Sequence, residues 1–116
     1  MITISQNKGR VALTLTAFEM GNDICVILTG GEEHLGAVTV GSPQGRLETV
    51  AIGSHKEYYV TEKMGQILES AYSGSYVICC GIHLDNITKD EIATTIDLSG
   101  KMVEALCKQL NSNNAF

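Results

Sequence analysis

Basic residues are scarce in this chain of 116 residues. Eight Lys and Arg stand against thirteen Asp and Glu, for a formal net charge of −5. The eight are scattered, and only Lys8 and Arg10 lie close together. Duplex nucleic acid and anionic lipid surfaces both demand a basic stripe, so neither is an expected partner. Long apolar runs are missing too: no segment approaches the roughly 20 apolar residues of a membrane-spanning helix. The opening MITISQNKGR has no apolar stretch behind a basic start, so no secretion signal is read there, and the expected location is the cytoplasm. The four cysteines show no C-x-x-C spacing, which argues against a zinc knuckle. Cys25 and Cys80 sit in strand-like apolar runs, Cys107 in a helical one, and adjacent Cys79 and Cys80 must face opposite ways in a strand. They read as reduced, buried small hydrophobes rather than disulfides. No internal repeat or low-complexity tract is visible.

What remains is an ordinary globular composition. Hydrophobic residues make up 44% and charged residues 18%, so disorder is not expected and one core can form. Residues 1–116 are expected to form a single domain. Period-2 patterning dominates the first half. VALTLTAF (11–18) alternates, Gly21-Asn22 makes a tight turn, and DICVILT (23–29) is apolar on both faces. GAVTVGS (36–42) and LETVAI (47–52) follow, separated by Pro43 and Gly45. The period then changes. Val60, Met64, Ile67, Leu68 and Ala71 form one helical stripe. Ser54 and Glu57 have the spacing of a capping box at its start. SYVICCGI (75–82) is a buried strand, in which Gly81 suggests a bulge or a close backbone approach. Thr88 and Glu91 open a second capped helix, carried by Ile92, Ile96, Val103, Leu106 and Leu110. Gly100 interrupts that stripe and predicts a break between Thr94 and Ser99.

The predicted order is β-β-β-β-α-β-α. Strands before helices argue an α+β fold: a single, mostly antiparallel sheet with the helices packed on one face. Strand 75–82 follows a helical crossover, so a parallel pairing is expected there. The second sheet face would stay open although its central strands are apolar on both sides. A homo-oligomer that buries this surface is therefore predicted.

The three histidines all fall at element boundaries beside glycine or small polar residues. In GGEEHLG (30–36), Gly30, Gly31 and Gly36 offer positive-φ turns and close backbone approach, and His34 is fixed by the strand that follows. In GSHKE (53–57), His55 and Lys56 stand where the positive end of a helix disfavours cations. An anion held by Ser54, His55, Lys56 and free N–H groups resolves that conflict; ordinary capping with solvated side chains is the plainer alternative. In GIHLDNIT (81–88), His83 and Asp85 lie two apart on an extended segment at a strand's end, a favoured place for ligands, although a polar loop would look much the same.

These runs, GGEEHLGAVTV, GSHKEYYVTEKMGQIL and SYVICCGIHLDNITKDEI, resemble the prenylated-flavin chaperone family. Its members are small D-type subunits that accompany gallate and related aromatic-acid decarboxylases. The matching elements are Thr29–Gly31, His34–Val38, Ser54–His55 and Gly81–Ile92, the last being the most specific. The resemblance covers about residues 24–96. It implies a non-catalytic carrier that binds prenylated FMN, with FMN itself a second candidate, and delivers it to a decarboxylase apoenzyme. A flavin prenyltransferase is a further implied partner. Ser54, His55 and Lys56 are then assigned to the phosphate, and Gly30, Gly31, Gly36, His34, His83 and Asp85 to the ring and ribityl chain. Aromatic residues make up only 5% of the chain, so Tyr58, Tyr59, Tyr72 and Tyr76 are the few available stacking platforms. Two other readings stand beside this one. The histidines with Glu33 or Asp85 are the right ligand types for a small metal-dependent enzyme. Alternatively, the chain is a ligand-free structural subunit of a decarboxylase.

Overall fold

A computed structural model describes residues 1–45, 47–53 and 56–113. The sequence-predicted assignments to Ser54 and His55 lie outside the described residues. Strands β1 (Ile2–Lys8), β2 (Val11–Met20), β3 (Asp23–Gly31), β4 (Ala37–Gly41) and β5 (Leu47–Ala51) precede helix α1 (Tyr58–Ala71). Strand β6 (Tyr76–His83) and helix α2 (Lys89–Asn113) follow. The fold is α+β: one six-stranded sheet in the order β1-β2-β3-β6-β4-β5, with both helices packed against it. Every pairing is antiparallel except β3 with β6, which is parallel as expected. Among the described residues, no helix is long and apolar enough to cross a membrane.

The alternating pattern of the strands becomes burial. Leu13 and Leu15 of β2, Val26 and Leu28 of β3, and Ile78 and Cys80 of β6 face inward. Val60, Met64 and Leu68 of α1 and Met102, Leu106 and Leu110 of α2 close over them. A polar thread runs through the layer between β4, β5 and α1. Thr39 is fully buried and its hydroxyl lies 2.8 Å from both Thr49 and Thr61, so it is hydrogen-bonded on each side.

Two expectations fail. The first strand escaped the sequence reading because only Ile2 and Ile4 of ITISQNK face the core. Its other half is polar, as an edge strand with one partner can be, yet it pairs along its whole length, from Ile2↔Ala17 to Lys8↔Val11. The predicted break in the last helix is absent: α2 runs uninterrupted through Gly100. That glycine is buried, and a Cβ there would touch Lys63 Cε at 3.2 Å and Ile67 Cδ1 at 3.5 Å. It marks the close passage of α2 over α1, not a stop. The Thr88–Glu91 cap forms as expected. Glu91 N–H donates to Thr88 Oγ1 at 3.1 Å and Thr88 N–H donates to Glu91 Oε1 at 3.0 Å.

The four cysteines are unpaired. Cys80 and Cys107 are buried as expected, but Cys25 and Cys79 are only half-buried. They lie on the open face of the sheet, where register joins Phe18 to Cys25, Ile27 to Cys79 and Cys79 to Val38.

Candidate functional site

The strand order explains the glycine-rich connection. β3 and β4 flank β6, so the link between them must cross the end of β6. β3 ends with Gly31 opposite His83, and β4 begins with Ala37 opposite Cys80. The segment 32–36 therefore arches over the last residues of β6. Gly36 N–H donates to Cys80 O at 2.8 Å, and Gly36 O accepts from Ile52 N–H at 2.8 Å. Of the three loop glycines, only Gly31 has positive φ, at 70°. Gly30 and Gly36 serve close approach instead: a Cβ on Gly30 would press on Leu13, and one on Gly36 would overlap the Glu57 carboxylate. Gly81, read as a bulge or close-approach position, lies against the His34 carbonyl.

That packing seats a polar pair. His34 Nδ1 lies 3.1 Å from the Glu32 carbonyl, and Nε2 lies 2.7 Å from Glu57 Oε2. A carbonyl can only accept, so Nδ1 carries a proton and Nε2 shares a second with the carboxylate. The Glu32 carbonyl foremost, and the Glu57 carboxylate after it, hold the imidazolium above histidine's ordinary range. Glu57 is only 6% exposed. Its Oε2 also accepts from Ile82 N–H at 3.3 Å, while Oε1 is buried with no hydrogen-bond donor among the described residues. The capping box expected of Ser54 and Glu57 lies in part outside the described residues. Glu57 is itself the N-cap of α1, makes no side-chain cap, and turns its carboxylate to His34.

His83 ends β6, with its Nε2 2.9 Å from Asp85 Oδ1. His83 is half-buried and Asp85 exposed, at 39% and 87% for their side chains. Beside them, Arg10 donates through Nε and Nη2 to the two oxygens of Glu91, each at 2.9 Å, and through Nη2 to Asp85 O at 3.1 Å. The guanidinium, with the Thr88 N–H, holds the Glu91 carboxyl down to about 2. Lys56 is exposed at the entry to α1.

Two cavities flank the end of β6 and meet at Ile82, Ile87 and Thr95. The smaller, about 100 Å³, is bordered by Arg10, Gly30, Gly31 and His83. The larger, about 190 Å³, lies between the starts of the two helices and is bordered by Lys56, Glu57, Tyr59, Ile92 and Ile96. Tyr59, considered for stacking, is 53% exposed, with its ring centroid 4.4 Å from that of Tyr58.

Gly30, Gly31, His83 and Lys56 thus border one composite cleft. His34 and Gly36 reach it through Glu57, and Asp85 through His83. Among the described residues, no group of three or more His, Cys, Asp or Glu side chains is placed to hold a metal. Sequence reasoning missed Glu57, Arg10 and the isoleucine wall. Arg10 sits on a strand turn far from the motif that it braces. Ile92 and Ile96 looked like ordinary core, yet Ile92 is 44% exposed, an excess of apolar surface that the helical stripe alone could not reveal.

The model of the prenylated flavin chaperone LpdD-like domain matches residues 7–111. The chain belongs to this family. It is 34% identical to Protein LpdD of Lactiplantibacillus plantarum, in an alignment covering 75% of this chain and 71% of that protein. A solved relative in shape is a chain from the crystal structure of a chaperone complex for yeast 20S proteasome assembly. The two superpose with a TM-score of 0.59 over 93% of this chain and 95% of the other, at 12% identity. That likeness concerns the fold alone.

Proposed function

We propose that this chain is a carrier that holds prenylated FMN in the cleft at the end of β3 and β6. It hands the cofactor to an aromatic-acid decarboxylase apoenzyme in the cytoplasm, after loading by a flavin prenyltransferase. The observation that carries the reading is the cleft itself: two cavities joined at Ile82, within a chain of the LpdD-like family.

The residues suit such a ligand. Lys56 supplies a cation for the phosphate at the start of α1, where helix N–H groups favour anions, with Ser54 and His55 as its expected companions. His34 brings an imidazolium, and Glu57 Oε1 is a buried acceptor with no donor among the described residues. Gly30, Gly31, Gly36, His83 and Asp85 shape the ring and ribityl side. When bound, the modified flavin would supply the electron sink that a decarboxylase requires. The residues here only bind, orient and shield it. Burial pushes the Cys80 thiol up to about 12 and also raises Cys79 and Cys107, which disfavours the thiolate at these three positions.

Lys56→Ala should weaken prenylated FMN binding about tenfold, in line with loss of one charge-assisted contact, whereas the control Lys108→Ala should not. Equal affinity in both variants would remove the phosphate assignment. The carrier role is tested by mixing the loaded protein with apo-decarboxylase and following decarboxylation. The expected result is activation faster than with the same concentration of free prenylated FMN. No advantage over the free cofactor contradicts delivery.

The open sheet face supports a second part of the reading, a homo-oligomer. Across the middle of β2, β3, β6 and β4 it presents Thr16, Phe18, Cys25, Ile27, Val77, Cys79, Val38 and Val40, none of them charged. Phe18 is 40% and Val40 50% exposed. A second copy stacked sheet on sheet would cover this surface.

A further inference from the structure

The loop over the end of β6 holds an apolar side chain out in water. Leu35 is 50% exposed, yet the backbone beside it is fixed. Gly36 N–H donates to Cys80 O, Gly36 O accepts from Ile52 N–H, and the ring of His34 is tied to Glu57. A slack loop could fold a leucine away, whereas these hydrogen bonds hold it outward. Ile52, alongside, is exposed as well, and so are Tyr59, Ile87 and Ile92 around the cleft mouth. Exposed apolar residues scattered singly need no explanation, but gathered at one place they mark an interaction surface.

The charge beside them is acidic. Glu32 and Glu33 are exposed on the same loop and form no ion pair among the described residues. Asp90 has a local reason, because carboxylates stabilise the first turn of a helix; no helix end calls for Glu32 and Glu33. At the mouth of a cleft for a phosphate ester, in a chain of net charge −5, two adjacent carboxylates repel the ligand. They are instead complementary to a basic protein surface. An apoenzyme that takes up a flavin phosphate must present basic side chains at its own phosphate site.

We infer that Leu35 and Ile52, bordered by Glu32 and Glu33, form the docking surface for the recipient apoenzyme, and that they meet the basic rim of its empty phosphate-binding pocket. The inference rests on the carrier reading above. It adds the face through which the carrier meets its client, which that reading does not require, because a carrier could equally release its ligand into solvent. An apolar centre with a charged border is the usual anatomy of a protein–protein contact. Opposite charge also steers the encounter, and steering is screened by salt.

The test follows activation of the apo form of an aromatic-acid decarboxylase by the loaded protein. The wild type is compared with the double variant Glu32→Lys/Glu33→Lys and, separately, with Leu35→Ser. All three positions are exposed, so the fold should tolerate the changes, and a circular dichroism melt checks it; the double variant alone decides if Leu35→Ser fails to fold. Both variants should bind prenylated FMN as tightly as the wild type in calorimetric titration. At low salt the double variant should activate the apoenzyme about tenfold more slowly, and the gap should close by about 0.5 M salt. Leu35→Ser should slow activation about tenfold at either salt. Wild-type rates in both variants overturn the docking surface and leave the carrier intact. So does a matching loss of cofactor affinity, which would put these residues in the ligand site. A variant with half the wild-type mass in light scattering also overturns it, because the face would then join two copies of this chain. A loaded wild type that activates no aromatic-acid apo-decarboxylase overturns the carrier reading and the docking surface together.

Discussion

At the scale of single residues, the His34–Glu57 pair exists because Gly36 has no side chain. A Cβ there would overlap the carboxylate, so Gly36→Ala should destabilise the protein by about 1–3 kcal/mol, an overpacking cost readable by urea denaturation. A wild-type midpoint in that variant would mean that Glu57 moves aside freely. The same pair predicts a pH dependence. The folded-state value of His34 is raised, so its contribution to stability is complete below the unfolded value of about 6.5 and fades as pH rises through the folded one. The stability gap between wild type and His34→Gln should therefore be wider at about pH 5.5 than at about pH 9. A gap that does not change with pH would contradict the shared proton. The sequence made His34 and its glycines legible as a special junction, but not their purpose. Nothing in GGEEHLG says that β6 will slot between β3 and β4, and Glu57 looked like a routine cap because its partner is a residue from another loop.

At the scale of elements, local signals were trustworthy where local physics decides and misleading where packing does. The Thr88–Glu91 cap and the Gly21-Asn22 turn, with Gly21 at φ 63°, are settled within four residues or fewer of chain. The parallel β3–β6 pairing followed from the crossover helix. Gly100 misled because its reason is the neighbouring helix. A methyl group there meets the flexible end of Lys63, which can yield. Gly100→Ala should thus stabilise the protein by about 0.5–1 kcal/mol through helix propensity, seen as a raised urea midpoint. A loss of stability would mean that the α1–α2 contact is tighter than the geometry indicates. Strand β1 was invisible for a similar reason: an edge strand needs only half an apolar pattern, and its pairing with β2 is a property of the sheet.

At the scale of the whole molecule, a sheet covered on one face leaves an uncharged apolar surface on the other, and the strands' two-sided hydrophobicity made this legible from sequence. If a second copy covers it, light scattering should give about twice the 12.4 kDa of one chain, and Ile27→Asp should return the protein to one copy. A monomeric wild type would leave that face to a different partner. The cleft lies at the end of the same sheet, where the loop over β6, the start of α1 and the start of α2 meet. The central claim is that this cleft holds a prenylated flavin. Its most direct test is the absorbance spectrum of the protein purified from cells that make prenylated FMN, with the mass of whatever denaturation releases. A flavin-like spectrum and a released mass equal to that of prenylated FMN, near one per chain or per pair of chains, is the predicted result; a colourless protein that releases no flavin would contradict it.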